Sequence, residues 1–277
     1  MKGKVCGDFC EFTLDKGHFI TGESLSNHGY MLCEFDGSGS VENVTTDSQR
    51  ELTSISMFGG RYFPIIYSVY DGALVAEMSI CRLGNDAGNA ITPKEAAALK
   101  RWLESPVASE FRAGGIDYEG IFWNGTFNVE EIHSDSVCVG FQLTFTATAP
   151  FGYKDKVNIS GSVAKDGTVN IDDTSDDEGY IYPDITITLK SAGDLKIMNE
   201  FDKRETVVRG CSSGETLTFT HLLQILSSNK SHELGDDFNY KFIRINNEYG
   251  NTLNKLTFNL PCTYSISYNP IAKVVIA

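Results

Sequence analysis

Val137-Cys138-Val139-Gly140-Phe141-Gln142-Leu143-Thr144-Phe145-Thr146-Ala147-Thr148-Ala149-Pro150 decides the fold. Val137, Val139, Phe141, Leu143, Phe145 and Ala147 alternate with Gln142, Thr144, Thr146 and Thr148. A strict period of two puts every apolar side chain on one face of an extended chain, which predicts a half-buried antiparallel strand. The strand must stop near Ala149-Pro150, because proline has no amide hydrogen for the ladder.

The same pattern recurs on both sides. Leu74, Ala76, Met78 and Ile80 share one parity upstream, and Phe127 and Val129 follow what reads as a turn at Asn124-Gly125. Downstream, Ile185, Ile187 and Leu189, then Leu195 and Ile197, Val207 and Val208, and Leu217 and Phe219 mark further strands. Lys165-Asp166-Gly167-Thr168 reads as a hairpin turn. Leu256, Phe258, Leu260, Cys262, Tyr264, Ile266 and Tyr268 keep one parity across Pro261, so an edge strand or two strands flanking a bend are expected there.

One helix stands against this background. Thr92-Pro93-Lys94-Glu95 is a capping box with proline at the first helical position, and Ala96, Leu99, Trp102 and Leu103 then fall on one side. Ser105-Pro106 ends it, since the residue before proline avoids the helical region. Trp102 is expected to anchor this helix on a sheet. Many short strands with one helix predict a mainly β protein: a mixed first domain over residues 1–151 and an all-β sandwich over residues 152–277.

The chain has 277 residues, 23 Lys plus Arg against 37 Asp plus Glu, and a net charge of −14. Two domains suit that length. Duplex binders gain affinity by neutralising phosphates with cations, so tight nucleic-acid binding is disfavoured. No apolar run approaches the roughly 20 residues of a spanning helix, and Met1 to Asp8 lacks a signal-peptide core. Membrane insertion is therefore not expected.

Catalytic and metal signatures are missing. The seven cysteines are odd in number and scattered, which fits reduced thiols better than a disulfide framework. His18, His28, His133, His221 and His232 show no metal-ligand spacing, and no nucleophile elbow or phosphate-cradling loop occurs. Asp172-Asp173-Thr174-Ser175-Asp176-Asp177-Glu178-Gly179 invites a calcium assignment but lacks the spaced ligands of an EF-hand loop, so a solvated loop is the better reading. Neither metal nor cofactor is expected, and no enzymatic activity.

Several pieces, in order, resemble the distal tail (Dit) protein family of siphophages. In the first half these are Arg61-Tyr62-Phe63-Pro64, the capped helix with Arg101-Trp102-Leu103, the aromatic segment Tyr118 to Phe127, and Gly140 to Phe145 ending in Ala149-Pro150-Phe151. In the second they are Pro183-Asp184-Ile185-Thr186-Ile187, Gly193-Asp194-Leu195, Gly214-Glu215-Thr216-Leu217, Asp237 to Phe242, and Leu260-Pro261-Cys262. The resemblance implies a β-sandwich-like first domain with one helix and a projecting hairpin, followed by a galectin-like sandwich. It also implies a virion protein of the tail tip, assembled in the bacterial cytoplasm as a homohexameric ring. Its implied partners are the tail tube protein, the tail-associated hub or lysin protein and receptor-binding proteins, with DNA passing through the lumen without specific binding.

Head-to-tail ring contacts need patches that differ from each other, and interface centres favour aromatics. Tyr118, Phe122, Trp123 and Phe127 are accordingly the candidate oligomer-interface residues, with Phe122 or Trp123 expected against a neighbour; the alternative is that they cover their own sheet. Carboxylates lining a channel would keep DNA from sticking. The rival reading is a carbohydrate-binding, lectin-like module that stacks sugar on Tyr180, Tyr182 or Tyr249.

Overall fold

The structure is a computed structural model that describes residues 4–5, 12–15, 23–34, 45–47, 50–55, 65–70, 72–82, 90–114, 118–248 and 250–274. The Arg61 to Pro64 motif, Cys6, Cys10, His18 and Tyr249 lie outside them. The chain divides into two units, residues 1–153 with 273–277 and residues 154–272.

The first unit contains β1 (Lys4–Val5), β2 (Phe12–Asp15), β3 (Glu23–Ser24), β4 (Tyr30–Glu34), β5 (Thr45–Asp47), β6 (Arg50–Ile55), β7 (Ile65–Tyr70) and β8 (Val75–Arg82). Helix α1 (Pro93–Leu103), β9 (Ser109–Ala113), β10 (Ile121–Ser134) and β11 (Val137–Ala147) follow, and β12 (Gly152–Lys154) crosses the boundary. Its main sheet runs β1-β4-β8-β11-β10-β9-β2-β3 in antiparallel pairs, while β6 pairs with β7. Phe141 lies opposite Ile80, Leu143 opposite Met78 and Val129, and Phe145 opposite Ala76 and Phe127. The period-two residues of three adjacent strands thus meet on one face, and all eight are buried.

The capping box forms as the sequence predicts. The Thr92 hydroxyl accepts from the Glu95 amide, and the Glu95 carboxylate accepts from the Thr92 amide at 2.8 Å. Arg82 donates to both carboxylate oxygens of Glu95 at 2.8 Å. The Thr92 donors, then Arg82, bring the Glu95 pKa down to about 2. Ala96, Leu99, Trp102 and Leu103 are buried, and the Trp102 ring stacks on His28 at 4.0 Å.

Asn124-Gly125 is not a turn. Both lie inside β10, which runs unbroken for 14 residues. Glycine is needed there for a different reason: a Cβ on Gly125 would sit 2.4 Å from the Thr146 carbonyl oxygen and 2.5 Å from the Phe145 ring. The true reversal is Asp135-Ser136, between β10 and β11, where both residues have positive φ (51° and 65°). Two left-handed residues make the tight turn whose twist matches the strands it joins.

The second unit contains β13 (Val157–Val163), β14 (Gly167–Asp172), β15 (Gly179–Ile181), β16 (Asp184–Leu189), β17 (Gly193–Asn199), β18 (Arg204–Cys211), β19 (Thr216–Phe219) and β20 (Ile225–Ser227). After the single turn α2 (Leu234–Asp237) come β21 (Ile245–Asn247), β22 (Leu253–Phe258), β23 (Cys262–Tyr268) and β24 (Ile271–Ala272). One sheet runs β13-β23-β16-β19-β20 and the other β14-β22-β17-β18, with β15 and β21 a separate pair. A single core takes Ile185, Ile187, Leu217, Phe219 and Ile266 from the first sheet and Val169, Ile171, Leu195, Ile197, Leu256 and Phe258 from the second. This is a β-sandwich.

Two of the connections that cross between its sheets carry turns read from the sequence. Asp166 adopts positive φ (57°), as a tight turn requires, but β13 pairs with β23 and β14 with β22. Lys165-Asp166-Gly167-Thr168 is therefore an arch between layers and not a hairpin. Pro261 sits in the other crossing, between β22 and β23. Leu256, Phe258, Cys262 and Ile266 stay buried on either side of it, so the bend preserves the parity seen in the sequence.

Candidate interaction surfaces

β10 is paired on both sides, to β9 and β11, and its first residues pack on both faces. Trp123 is 0% exposed, Phe122 7% and Phe127 5%. Trp123 meets Phe111 and Tyr118 with ring centres 6.0 Å away, and a Cβ on Gly152 would come 2.8 Å from its indole nitrogen. Phe122 stacks on Tyr153 at 5.7 Å and carries the Arg112 guanidinium on its ring. Phe127 packs edge-on against Phe111 at 5.4 Å and beside Phe145 at 5.0 Å. Of the four candidate interface residues, Tyr118 alone is half-buried; the other three are buried within the unit.

The acidic loop before β15 has a cation of its own. Lys154 Nζ donates to the Asp176 carboxylate at 2.7 Å and to the Thr174 carbonyl. Asp173 is buried, and its carboxylate accepts from the Ser175 amide (3.2 Å) and hydroxyl (2.9 Å). These carboxylates are held by an ammonium and by local donors, not splayed toward a common centre.

Tyr180 is 53% exposed and packs edge-on against Tyr182 at 5.6 Å. The Arg244 guanidinium lies 4.5 Å from the Tyr180 ring centre and is ion-paired with Asp202 at 2.6 Å. One face of the ring a sugar would use is thus occupied by arginine.

The second unit also contains a polar cluster that sequence spacing could not reveal. Glu215, just before β19, and His232, just before α2, are 17 residues apart, and their side chains are 0% and 3% exposed. His232 Nδ1 lies 2.5 Å from Glu215 Oε1, and Nε2 lies 2.8 Å from the Arg209 carbonyl. Glu215 also accepts from the Ser212 amide (2.7 Å) and the Ser227 hydroxyl (2.6 Å). Cys211 Sγ lies in the same cluster, where burial pushes its pKa up to about 11. Cysteine, glutamate and histidine within 4.8 Å are a conceivable metal set. Yet both imidazole nitrogens and both carboxylate oxygens already have protein partners, which makes the cluster an ion pair.

Apolar surface is exposed at a hairpin on a sheet edge. Leu222, Leu223 and Leu226, in and after the β19–β20 loop, are 67%, 48% and 58% exposed. The loop base is held by Asp184, which accepts from the His221 amide and ring, each at 2.9 Å. Leucines grouped this way on a held loop have the character of a protein contact.

Comparison with known proteins places these units. Residues 15–149 match the profile of a phage tail protein N-terminal domain, and residues 151–268 that of a phage tail C-terminal domain. Among solved structures, the Dit protein of phage SPP1, described as a paradigm of the hub adsorption apparatus in phages infecting Gram-positive bacteria, has the same fold. Its TM-score is 0.63 at 12% identity, covering 93% of this chain and 98% of that one. A chain of the phage P2 baseplate in its activated, calcium-bound conformation aligns at a TM-score of 0.42 and 8% identity, over 93% of this chain and 97% of that one. No curated protein matches the sequence. With adjoining matches from residue 15 to residue 268, the chain belongs to the phage tail proteins defined by these N-terminal and C-terminal domains.

Proposed function

We propose that this chain is a distal tail protein. Six copies close into a ring at the far end of a long non-contractile tail, with the first units forming the ring and the galectin-type second units outside it. The ring joins the tail tube protein to the tail-associated hub or lysin protein and supports receptor-binding proteins. Its role is structural, not catalytic. The observation that carries this reading is the fold agreement with SPP1 Dit through both units of one chain, in order and at nearly full length.

The residues accord with such a role. The net charge of −14, repeated around a ring, supports a lumen that DNA traverses without adhering. The leucines Leu222, Leu223 and Leu226 offer exposed contact area. Gold-labelled antibody against the chain, viewed by electron microscopy on intact virions, should decorate the distal tip of the tail. Label along the tail shaft or at the capsid would overturn the assignment.

A further inference from the structure

We propose that His232 and Glu215 form a pH-operated latch, in which the doubly protonated imidazole fastens the segment from Asn229 to Asp237 onto the sandwich and its deprotonation as pH rises releases it. The geometry carries this. Nδ1 faces a carboxylate oxygen and Nε2 faces a carbonyl oxygen, at 2.5 and 2.8 Å. Neither oxygen can donate, so both ring nitrogens must carry hydrogen, and only the imidazolium does so. Removing one proton turns one of these contacts into two lone pairs facing each other in a buried site.

The two carboxylates in contact with the ring favour the proton. Glu215 lies on one side, and Asp237 of α2 is 3.5 Å from Nε2 on the other. Asp194 sits nearby on β17 and accepts from the Gly210 amide, and the Cys211 thiol completes the surroundings. The segment's other side-chain tie to the preceding turn is a 3.5 Å contact from Asn229 to Ser212. Within residues 229–237, His232 makes the closest side-chain contacts to the end of β18 and the turn before β19. Phe238 and Asn239 just beyond hold the chain to β18 at Val208, Val207 and Glu205 and form the fixed end from which the segment opens.

The direction of the pH effect follows. Burial alone would lower the His232 pKa, but Glu215, Arg209 O and Asp237 outweigh it, and the folded pKa lies above the ordinary histidine value. The latch is therefore fully closed below about pH 6.5 and opens as pH rises through the higher folded value. Burial would raise the Glu215 pKa, but the Ser212 amide, the Ser227 hydroxyl and His232 outweigh it and hold it below the ordinary carboxylate value. That side of the latch fails only in stronger acid.

The test is hydrogen exchange on the full chain, followed by mass spectrometry across the alkaline range and corrected for intrinsic rates. Protection of residues 229–237 should fall at least tenfold as pH rises, while β16 and β23 stay protected. In His232→Gln the same segment should exchange fast at every pH. Nitrogen-15 spectra of the wild-type histidines near pH 6 should show both His232 nitrogens protonated, a readout that needs no variant. Flat protection from pH 6 to 10, or a singly protonated ring near pH 6, would overturn the proposal.

Discussion

Replacing Trp123 with alanine is expected to unfold the first unit, not to loosen an assembly. The indole is wholly buried, framed by Phe111, Tyr118 and the backbone of Gly152, and its nitrogen has no hydrogen-bond partner among the described residues. Its contribution is packing, and Trp→Ala in such a site costs about 3–5 kcal/mol. Domains have only about 5–15 kcal/mol to lose. The cavity would open where β9, β10 and β11 are paired, so the loss should spread through the sheet and to α1. Near-UV circular dichroism should collapse, and β8, β10 and β11 should lose exchange protection, while the core of the second unit keeps its own. An interface residue would behave otherwise: the variant would melt like wild type and only the assembly would change.

The second large effect is expected at Asn254, which is 0% exposed inside the second unit. Its Oδ1 accepts from Asn199 Nδ2 and from the Asn246 amide, both at 2.8 Å. Its Nδ2 donates to the Asn246 carbonyl at 2.8 Å and to the Thr252 carbonyl at 3.0 Å. One side chain thereby ties β22 to β17 and β21. Each buried polar group left unpaired costs about 1–3 kcal/mol, so Asn254→Ala should lower stability by about 3–5 kcal/mol once partial relaxation is allowed. Asn254→Asp should be worse, because it removes both donors and aims a carboxylate at two carbonyl oxygens. Urea denaturation monitored in the second unit would read both; wild-type midpoints would refute the network's role.

The strands and α1 were legible because their signals are local. Val139 to Ala147 needs only the pleat to put Phe141, Leu143 and Phe145 on one face, and Thr92 to Glu95 carries its own cap. Pro261 marked a bend for the same reason. Asn124-Gly125 misled because glycine serves two purposes, φ freedom and close approach, and here the Phe145 ring imposes the second. The turn at Asp135-Ser136 escaped because neither residue is glycine.

The candidate sites depended on contacts that no spacing encodes. Aromatic load in Tyr118 to Phe127 signals burial, but the sequence does not say whether a neighbour or the same chain supplies the cover. In the structure Phe122, Trp123 and Phe127 are buried against rings of their own chain, Tyr153, Phe111 and Phe145 among them. His232 and Glu215 are joined by the path of the chain through β20 and the turn after it. A histidine opposite a glutamate 17 residues away leaves no periodic trace.

The central claim is that this two-unit β chain assembles into a closed ring of six. Native mass spectrometry of the purified protein tests it most directly. A particle six times the 30.5 kDa chain, unchanged over a range of dilutions, is the predicted result. A single chain of that mass at every concentration would contradict the account.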